Sequence, residues 1–387
     1  MFVNSLHKYI ETLENKLSGN NEEWMMDAFS KDNIRAVDAK FEAQKIAFGP
    51  FAFEAARCMI NFGILDEIFK AGDDGISKVD LLETLSLESY TFDVLIEMGL
   101  SMNVIKIVKD SDPTLYYLGK TGFFLIHDDM TRANMDFMHH VCYEGNFFLE
   151  EALQKGAPSG LKVFGDWPTV YEGLSSLPDD AKESWFRFDH YYSDTAFPSA
   201  LKHVFQKQYK HLLDIGGNTA KWSFACMNYD PQVKVTIVDL PGQAAVALKR
   251  IADAGFSERI SIHEADILKE NTTLPQGCDA VWMSQFLDCF SLEQVTGILD
   301  KVHNAIDDNC DVFVMEPLWD KQRFPAASYS LHATSLYFTS IANGNSKMYG
   351  FDELVLAIEK AGFKLADADH RIGPNDYSIL KFRKSGI

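Results

Sequence analysis

Leu212-Leu213-Asp214-Ile215-Gly216-Gly217-Asn218-Thr219-Ala220 is a short apolar run that ends in two glycines and small polar residues. That pattern marks a strand turning sharply into a helix. Glycine lets the backbone approach a ligand closely, and the free amides at the start of the following helix can face it. The next apolar run ends in Val238-Asp239-Leu240-Pro241. A carboxylate about 20 residues beyond a glycine turn, on the neighbouring strand, suits the ribose hydroxyls of a nucleoside. The third run ends in Glu264-Ala265-Asp266-Ile267, a further acid at the same edge. Each feature alone has a plain structural reading: paired glycines make turns, and Asp239 can cap the next helix. Three of them at the ends of successive strands point to one nucleoside-binding pocket.

Outward from that stretch the texture alternates between strands and helices. Strands are predicted at His211–Ile215, Val233–Leu240, Ile260–Ala265, Ala280–Met283, Val312–Glu316, Lys364–His370 and Tyr377–Phe382. Helices are predicted at about Thr219–Asn228, Gly242–Ala254, Leu292–Ala305 and Phe351–Ala361, the third opened by a Ser291-x-x-Gln294 capping box. Alternation of this kind specifies an α/β fold with a largely parallel sheet. The link Arg371–Asn375 is short enough to join the last two strands as an antiparallel hairpin. The expected result is a Rossmann-like seven-stranded sheet with one reversed strand at its edge.

Before that segment the chain reads mainly as helices. Phe51–Phe69 has apolar residues at helical spacing, with Gly63 and Gly72 punctuating its end. Two amphipathic segments, Val79–Leu85 and Phe92–Met98, precede short strands at Val104–Val108 and Leu115–Leu118, joined by an Asp110-Ser111-Asp112-Pro113 turn. This is a winged-helix outline. Winged helices often bind DNA, but Val79–Ile105 carries five carboxylates (Asp80, Glu83, Glu88, Asp93, Glu97) and no Lys or Arg. Phosphate contacts need cations, so a packing module is the better reading. The expected division is residues 1–205 as a helical, winged-helix domain and 206–387 as the catalytic domain.

Bulk properties agree. With 36 Lys plus Arg against 56 Asp plus Glu, the 387 residues carry a net charge of -20, which repels nucleic acid and anionic membranes. The most apolar stretch, Ile46–Leu65, is interrupted by Glu54 and Arg57 and reads as a buried helix. The six cysteines are scattered, without C-x-x-C pairs or metal-like Cys/His spacing, so no metal site is expected and reduced thiols in a cytoplasmic protein are the simplest reading.

The whole pattern resembles the class I O-methyltransferases related to plant caffeate and flavonoid enzymes and to bacterial polyketide and hydroxyneurosporene enzymes. Gly63-Ile64-Leu65-Asp66 through Leu118-Gly119-Lys120-Thr121 is similar to their dimerisation domain. Leu212–Ala220, Val238–Pro241, Ala265–Leu268 and Ala361-Gly362-Phe363 match their successive motifs. The resemblance implies S-adenosyl-L-methionine as cofactor, a small-molecule acceptor and a homodimer through the N-terminal domain, with Phe2–Leu17 and Phe51–Phe69 as the intertwining helices. It also implies that Gly216 and Gly217 pass the methionine part and that Asp239, with Leu240, holds the ribose. Asp266 and Ile267 would frame the adenine, while Ser284, at a position where many plant members carry lysine, and Gln285 would border the cofactor. Asn218 and Ala220 replace two family glycines; asparagine tolerates a left-handed backbone better than alanine does.

Methyl transfer from a sulfonium is an in-line displacement, so a protein supplies alignment and a dry pocket. A phenolic acceptor has a pKa of about 10, and a positioned base adds about 10²–10⁴-fold. Plant members use a histidine in an L-H-D-W motif; here Phe286-Leu287-Asp288-Cys289-Phe290 places Asp288 at that position. Glu316 coincides with the family glutamate that orients the histidine, and a second family glutamate is replaced near Met348. Asp288 serves as a base only if burial raises its pKa; otherwise it fixes the loop ahead of the next helix. His332, in the segment that lines the acceptor pocket in relatives, is the alternative base, and His140 and His190 are weaker candidates. Phe188, Tyr191, Tyr192, His332 and Tyr337 are the expected acceptor contacts, a lining suited to a flat aromatic or polyene molecule. Carbon methylation on the same scaffold, and a non-catalytic binding role, are the competing readings.

Overall fold

The computed structural model describes residues 29–386, without the side chains of Tyr192 and Ser193. The expected Phe2–Leu17 dimer helix and the Tyr192 contact therefore lie outside what is described. Two compact units divide between Asp136 and Phe137.

In the first unit, the apolar stretch expected as one helix forms two, Gly49–Asn61 and Ile64–Ala71. Gly63 separates them at φ 74°, a left-handed conformation that glycine adopts without strain. Helices Lys78–Leu85 and Ser89–Ser101 follow. Strands β1 (Ile76–Ser77), β2 (Ile105–Ile107) and β3 (Leu115–Leu118) make an antiparallel sheet in the order β1-β3-β2. Met59, Ile64, Leu65, Ile68, Leu81, Phe92 and Ile105 form its core. The winged-helix outline is present.

The second unit is built on a seven-stranded sheet of β4 (His211–Ile215), β5 (Lys234–Asp239), β6 (Ile260–Glu264), β7 (Ala280–Ser284), β8 (Asp311–Glu316), β9 (Phe363–Ile372) and β10 (Tyr377–Lys384). Its order is β6-β5-β4-β7-β8-β10-β9. The first five strands are parallel; the centres of β4, β5, β7 and β8 are buried on both faces, which is why they read as continuous apolar runs, whereas β6, at the edge, is partly exposed. β10 runs antiparallel to both β8 and β9. The reversed strand was expected at the edge; it lies one place in. Its Tyr-Ser-Ile-Leu stretch is buried throughout and belongs in the interior, whereas β9 exposes Lys364, Ala366, Asp367 and Asp369 and tolerates the edge.

Helices Lys221–Tyr229, Pro241–Asp253, Leu292–Ala305 and Phe351–Lys360 fill the crossovers and the approach to β9. The Ser291 capping box forms: Ser291 Oγ accepts the Gln294 amide at 3.2 Å, and the Ser291 amide donates to Gln294 Oε1 at 2.9 Å. Residues 137–205, grouped with the N-terminal half on sequence grounds, belong to this second unit. Phe137, Val170 and Trp185 share a core with Leu331, Tyr337, Ile341 and Met348, so long-range aromatic packing overrides the change of texture near residue 205. Among the described residues, no helix is long and apolar enough to cross a membrane.

Candidate active site

Ligands of open parallel sheets sit beyond the carboxyl ends of the strands. Here β4 ends at Ile215, opposite Val238 of β5, and Asp239 is opposite Glu264 of β6. The residues that follow surround a cavity of about 290 Å³. Gly216, Asp239, Leu240, Asp266 and Ile267 line it from the strand ends, and Gln285 and Asp288 from the loop after β7. Trp185, Phe188, Thr334, Tyr337 and Met348, most of which share the aromatic core of residues 137–348, line it as well. A smaller cavity of about 70 Å³ adjoins, bounded by Asp214, Gly216, Gly217, Trp222, Trp282, Ser284 and Gln285.

The glycine turn is tightly specified. Gly216 has φ 76°, and a Cβ there would stand 2.3 Å from the Phe286 ring. Asn218 takes φ 45° and Ala220 takes φ 65°, so both hold the left-handed backbone that glycine adopts without strain. Asn218 then ties three elements together. Its amide donates to Asp239 Oδ2 at 2.8 Å, and its Nδ2 donates to Asp189 Oδ2 at 3.4 Å. Asp239 Oδ1 accepts the Leu240 amide at 2.7 Å. Burial raises the Asp239 carboxyl while those two amides pull it down. Asp214 is buried, accepts Ser223 Oγ at 2.7 Å, and is pushed up to about 7 by burial.

The loop after β7 carries the acids. Gln285 sits at φ 45°, and the turn Leu287–Cys289 places Asp288 4% exposed against the cavity. Glu316, at the end of β8, accepts the Phe286 and Leu287 amides on Oε1 at 3.0 and 2.9 Å. Burial, then the neighbouring Asp288 charge, pushes Glu316 well above the ordinary carboxylate range. Burial likewise raises Asp288 to about 6, against hydrogen bonds from Cys289. Asp189, on the Asp179–Asp194 helix, borders both cavities and is raised to about 7 by burial and by Asp288 and Asp194.

Sequence reasoning passed over Asp189, together with the lining residues Tyr171, Trp185, Cys289, Thr334 and Asn343. The aromatic density of the segment was visible, but which of its side chains turn toward the sheet was not. Phe188 and Tyr337 do meet the cavity: Phe188 stacks on Phe137 at 4.0 Å, and Tyr337 Oη accepts Trp185 Nε1 at 2.7 Å. His332 does not. It is exposed on the Pro325–Tyr337 helix with its ring 4.9 Å from Trp319, because that helix turns Leu331 and Thr334 inward instead. Tyr191 is also outside the lining; its carbonyl accepts Asn375 Nδ2 at 3.3 Å. His190 borders the small cavity and His140 packs against His139.

Several buried polar atoms here have no protein partner: Trp222 Nε1, Trp282 Nε1, Ser284 Oγ and Gln285 Oε1. All four side chains line the smaller cavity, and the two indoles stack at 3.9 Å. Buried donors and acceptors left open beside a glycine turn fit a polar ligand tail, and Asp239 beside an apolar floor fits an adenosyl group.

An O-methyltransferase domain model matches residues 189–364, and a Dimerisation2-like domain model matches residues 40–112. The chain is 26% identical over 325 residues to the L-tyrosine C(3)-methyltransferase of Streptomyces lavendulae, spanning 82% of this chain and 85% of that protein. It is 27% identical over 222 residues to the N,N-dimethyltransferase OxyT of Streptomyces rimosus, spanning 57% of this chain and 62% of that one. The solved structure of the S-adenosylmethionine-dependent methyltransferase SibL superposes with a TM-score of 0.67 at 23% identity, covering 88% of this chain and 98% of the other.

Proposed function

We propose that this chain, which belongs to the family of S-adenosylmethionine-dependent O-methyltransferases, methylates a hydroxyl on an aromatic or polyketide-like small molecule. The observation that carries this reading is one cavity running from Gly216, Asp239 and Asp266 to the aromatic pair Phe188 and Tyr337, with Asp288 on its wall. We assign Asp239 and Leu240 to the ribose, Asp266 and Ile267 to the adenine, and Gly216, Gly217, Ser284 and Gln285 to the methionine end. S-Adenosylmethionine, when bound, supplies an electrophilic methyl on a sulfonium, already activated for in-line attack.

The chain's own residues do the rest. Trp185, Phe188 and Tyr337 hold a flat acceptor and exclude water. Asp288 takes the hydroxyl proton: a carboxyl held at about 6 is ionised at neutral pH, yet is more basic than an ordinary aspartate. Glu316 acts through Asp288 by fixing the loop that carries it.

Carbon methylation is the second reading, favoured by the likeness to a protein named for methylating C(3) of tyrosine. Removing a phenolic proton also makes the ring carbon beside it nucleophilic, so the same base serves whichever atom lies in line. Exposed apolar side chains on the first unit, among them Ile46, Phe48 and Phe51, support homodimer formation by the Dimerisation2-like domain. The free thiols fit a reducing, cytoplasmic setting.

The test is incubation with methyl-labelled S-adenosylmethionine and a panel of phenols, polyenes and aromatic polyketides. Label on oxygen supports the first reading and label on carbon the second. Cofactor binding without turnover of any acceptor would favour a binding protein.

A further inference from the structure

Asp266 and Ile267, the pair assigned to the adenine, stand on a turn and not on a strand: β6 ends at Glu264, and residues 265–279 form neither helix nor strand. Such a segment keeps one shape only where its backbone groups find partners. Some of the partners are local. Asp266 Oδ1 accepts the Leu268 amide at 3.0 Å, and the Asp266 carbonyl accepts the Lys269 amide at 3.2 Å and Thr272 Oγ1 at 2.6 Å. Two further carbonyls have a partner far along the chain. Those of Ile267 and Lys269 both accept Lys301 Nζ, each at 2.6 Å, from the Leu292–Ala305 helix. Carbonyl dipoles aimed at one point repel each other unless a cation sits there, so the ammonium sets the path of the turn between them. The helix that carries Lys301 is itself firmly held. Its Ser291 capping box closes the first turn, and Val295, Ile298, Leu299 and Val302 are buried in the same core as Ile267. It also starts just after the Leu287–Cys289 turn, so one rigid element runs from the loop of Asp288 to the turn of Asp266. Lys301 is half-buried and lines neither cavity.

We infer that Lys301 is a positioning residue for the cofactor, holding the Asp266–Lys269 turn in the shape that receives the adenine. The inference rests on the cofactor assignments above and adds to them a residue outside the cavity wall. Methionine at this position keeps the unbranched stem and a good helix former while removing the donor. Arginine keeps the charge and offers a planar fork of N–H groups that serves two acceptors at once.

Calorimetry on the full chain compares two ligands: S-adenosylhomocysteine, and 5′-methylthioadenosine, which has the adenosine part without the amino-acid tail. Lys301→Met and Lys301→Gln, each verified as folded by its thermal transition, should bind both ligands on the order of tenfold more weakly than the parent, the worth of hydrogen bonds to a charged group. Lys301→Arg should bring both affinities back to within about threefold of the parent. A lysine that serves stability alone would shift Tm and leave the affinities unchanged, and that result would overturn the inference. So would a loss confined to S-adenosylhomocysteine, which places the effect at the tail, or an arginine variant as weak as the methionine one. A parent that binds neither ligand would sink the cofactor assignment and this inference with it; a parent that binds both, matched by Lys301→Met, would sink the inference alone.

Discussion

Glu316 Oε1 accepts the Phe286 amide at 3.0 Å, so the last side chain of β8 sets the path of the loop that follows β7. Its other oxygen is buried without a partner, and burial favours the neutral acid. Glutamine has the shape of that neutral form and keeps the accepting oxygen. Glu316→Gln should therefore retain the amide contacts and turn over within about fivefold of the parent, since only a near-isosteric exchange is made. Glu316→Ala strands two buried amides, each costing about 1–3 kcal/mol, and should lower both Tm and kcat, the latter by about 100-fold or more. Equal loss in both variants would mean that the charge, and not the loop, is what matters.

Asp288 borders the cavity with only 4% of its surface exposed, and burial raises its carboxyl to about 6. A base must be ionised, so kcat/KM should rise with pH through a limb near 6 and flatten above it. Asp288→Asn should remove that limb and lower kcat by about 10²–10⁴-fold, the usual worth of a positioned base. A pH–rate profile of both proteins checks this, and an Asn variant retaining the limb would assign it elsewhere.

His332 was a reasonable candidate on sequence, yet its ring packs on Trp319 outside the cavity. His332→Ala should leave kcat/KM within about twofold, the ordinary effect of a surface change. A hundredfold loss would return the base to that helix.

Asp311, at the start of β8, is fully buried and meets Tyr209 Oη at 2.6 Å, Arg383 Nε at 2.7 Å and Lys381 Nζ at 3.2 Å. Burial opposes its charge, but those partners win and hold the carboxyl at about 2. Because the folded value lies below the unfolded one of about 3.9, this group stabilises the fold above pH 4 and loses that contribution as pH falls from 4 to 2. Asp311→Asn should cost roughly 2 kcal/mol at neutral pH and flatten the acid limb of stability, as urea titrations at several pH values would reveal.

Much of this was legible in the chain. Continuous apolar runs marked the inner parallel strands, and an acid or glycine at the ends of β4, β5 and β6 marked the pocket, because burial on both faces and closeness to a ligand both restrict residue type. The place of β10 was not legible, since a hairpin specifies pairing with β9 but not which partner lies beyond. Asp189 was hidden among aromatics whose inward direction depends on packing against residues far along the chain. The helix carrying His332 was opaque for a related reason: Pro325–Tyr337 has no charged residue, so little in its pattern separates an inner face from an outer one.

Asp239 gives the most direct measurement of all. Titrating S-adenosylmethionine into the parent protein and into Asp239→Ala by calorimetry tests whether the strand ends form one cofactor pocket. Micromolar affinity in the parent, falling on the order of 100-fold in a variant that still unfolds cooperatively, is the predicted result, in line with losing contacts to a charged acceptor. No heat of binding in the parent, or equal affinity in the two, would contradict it.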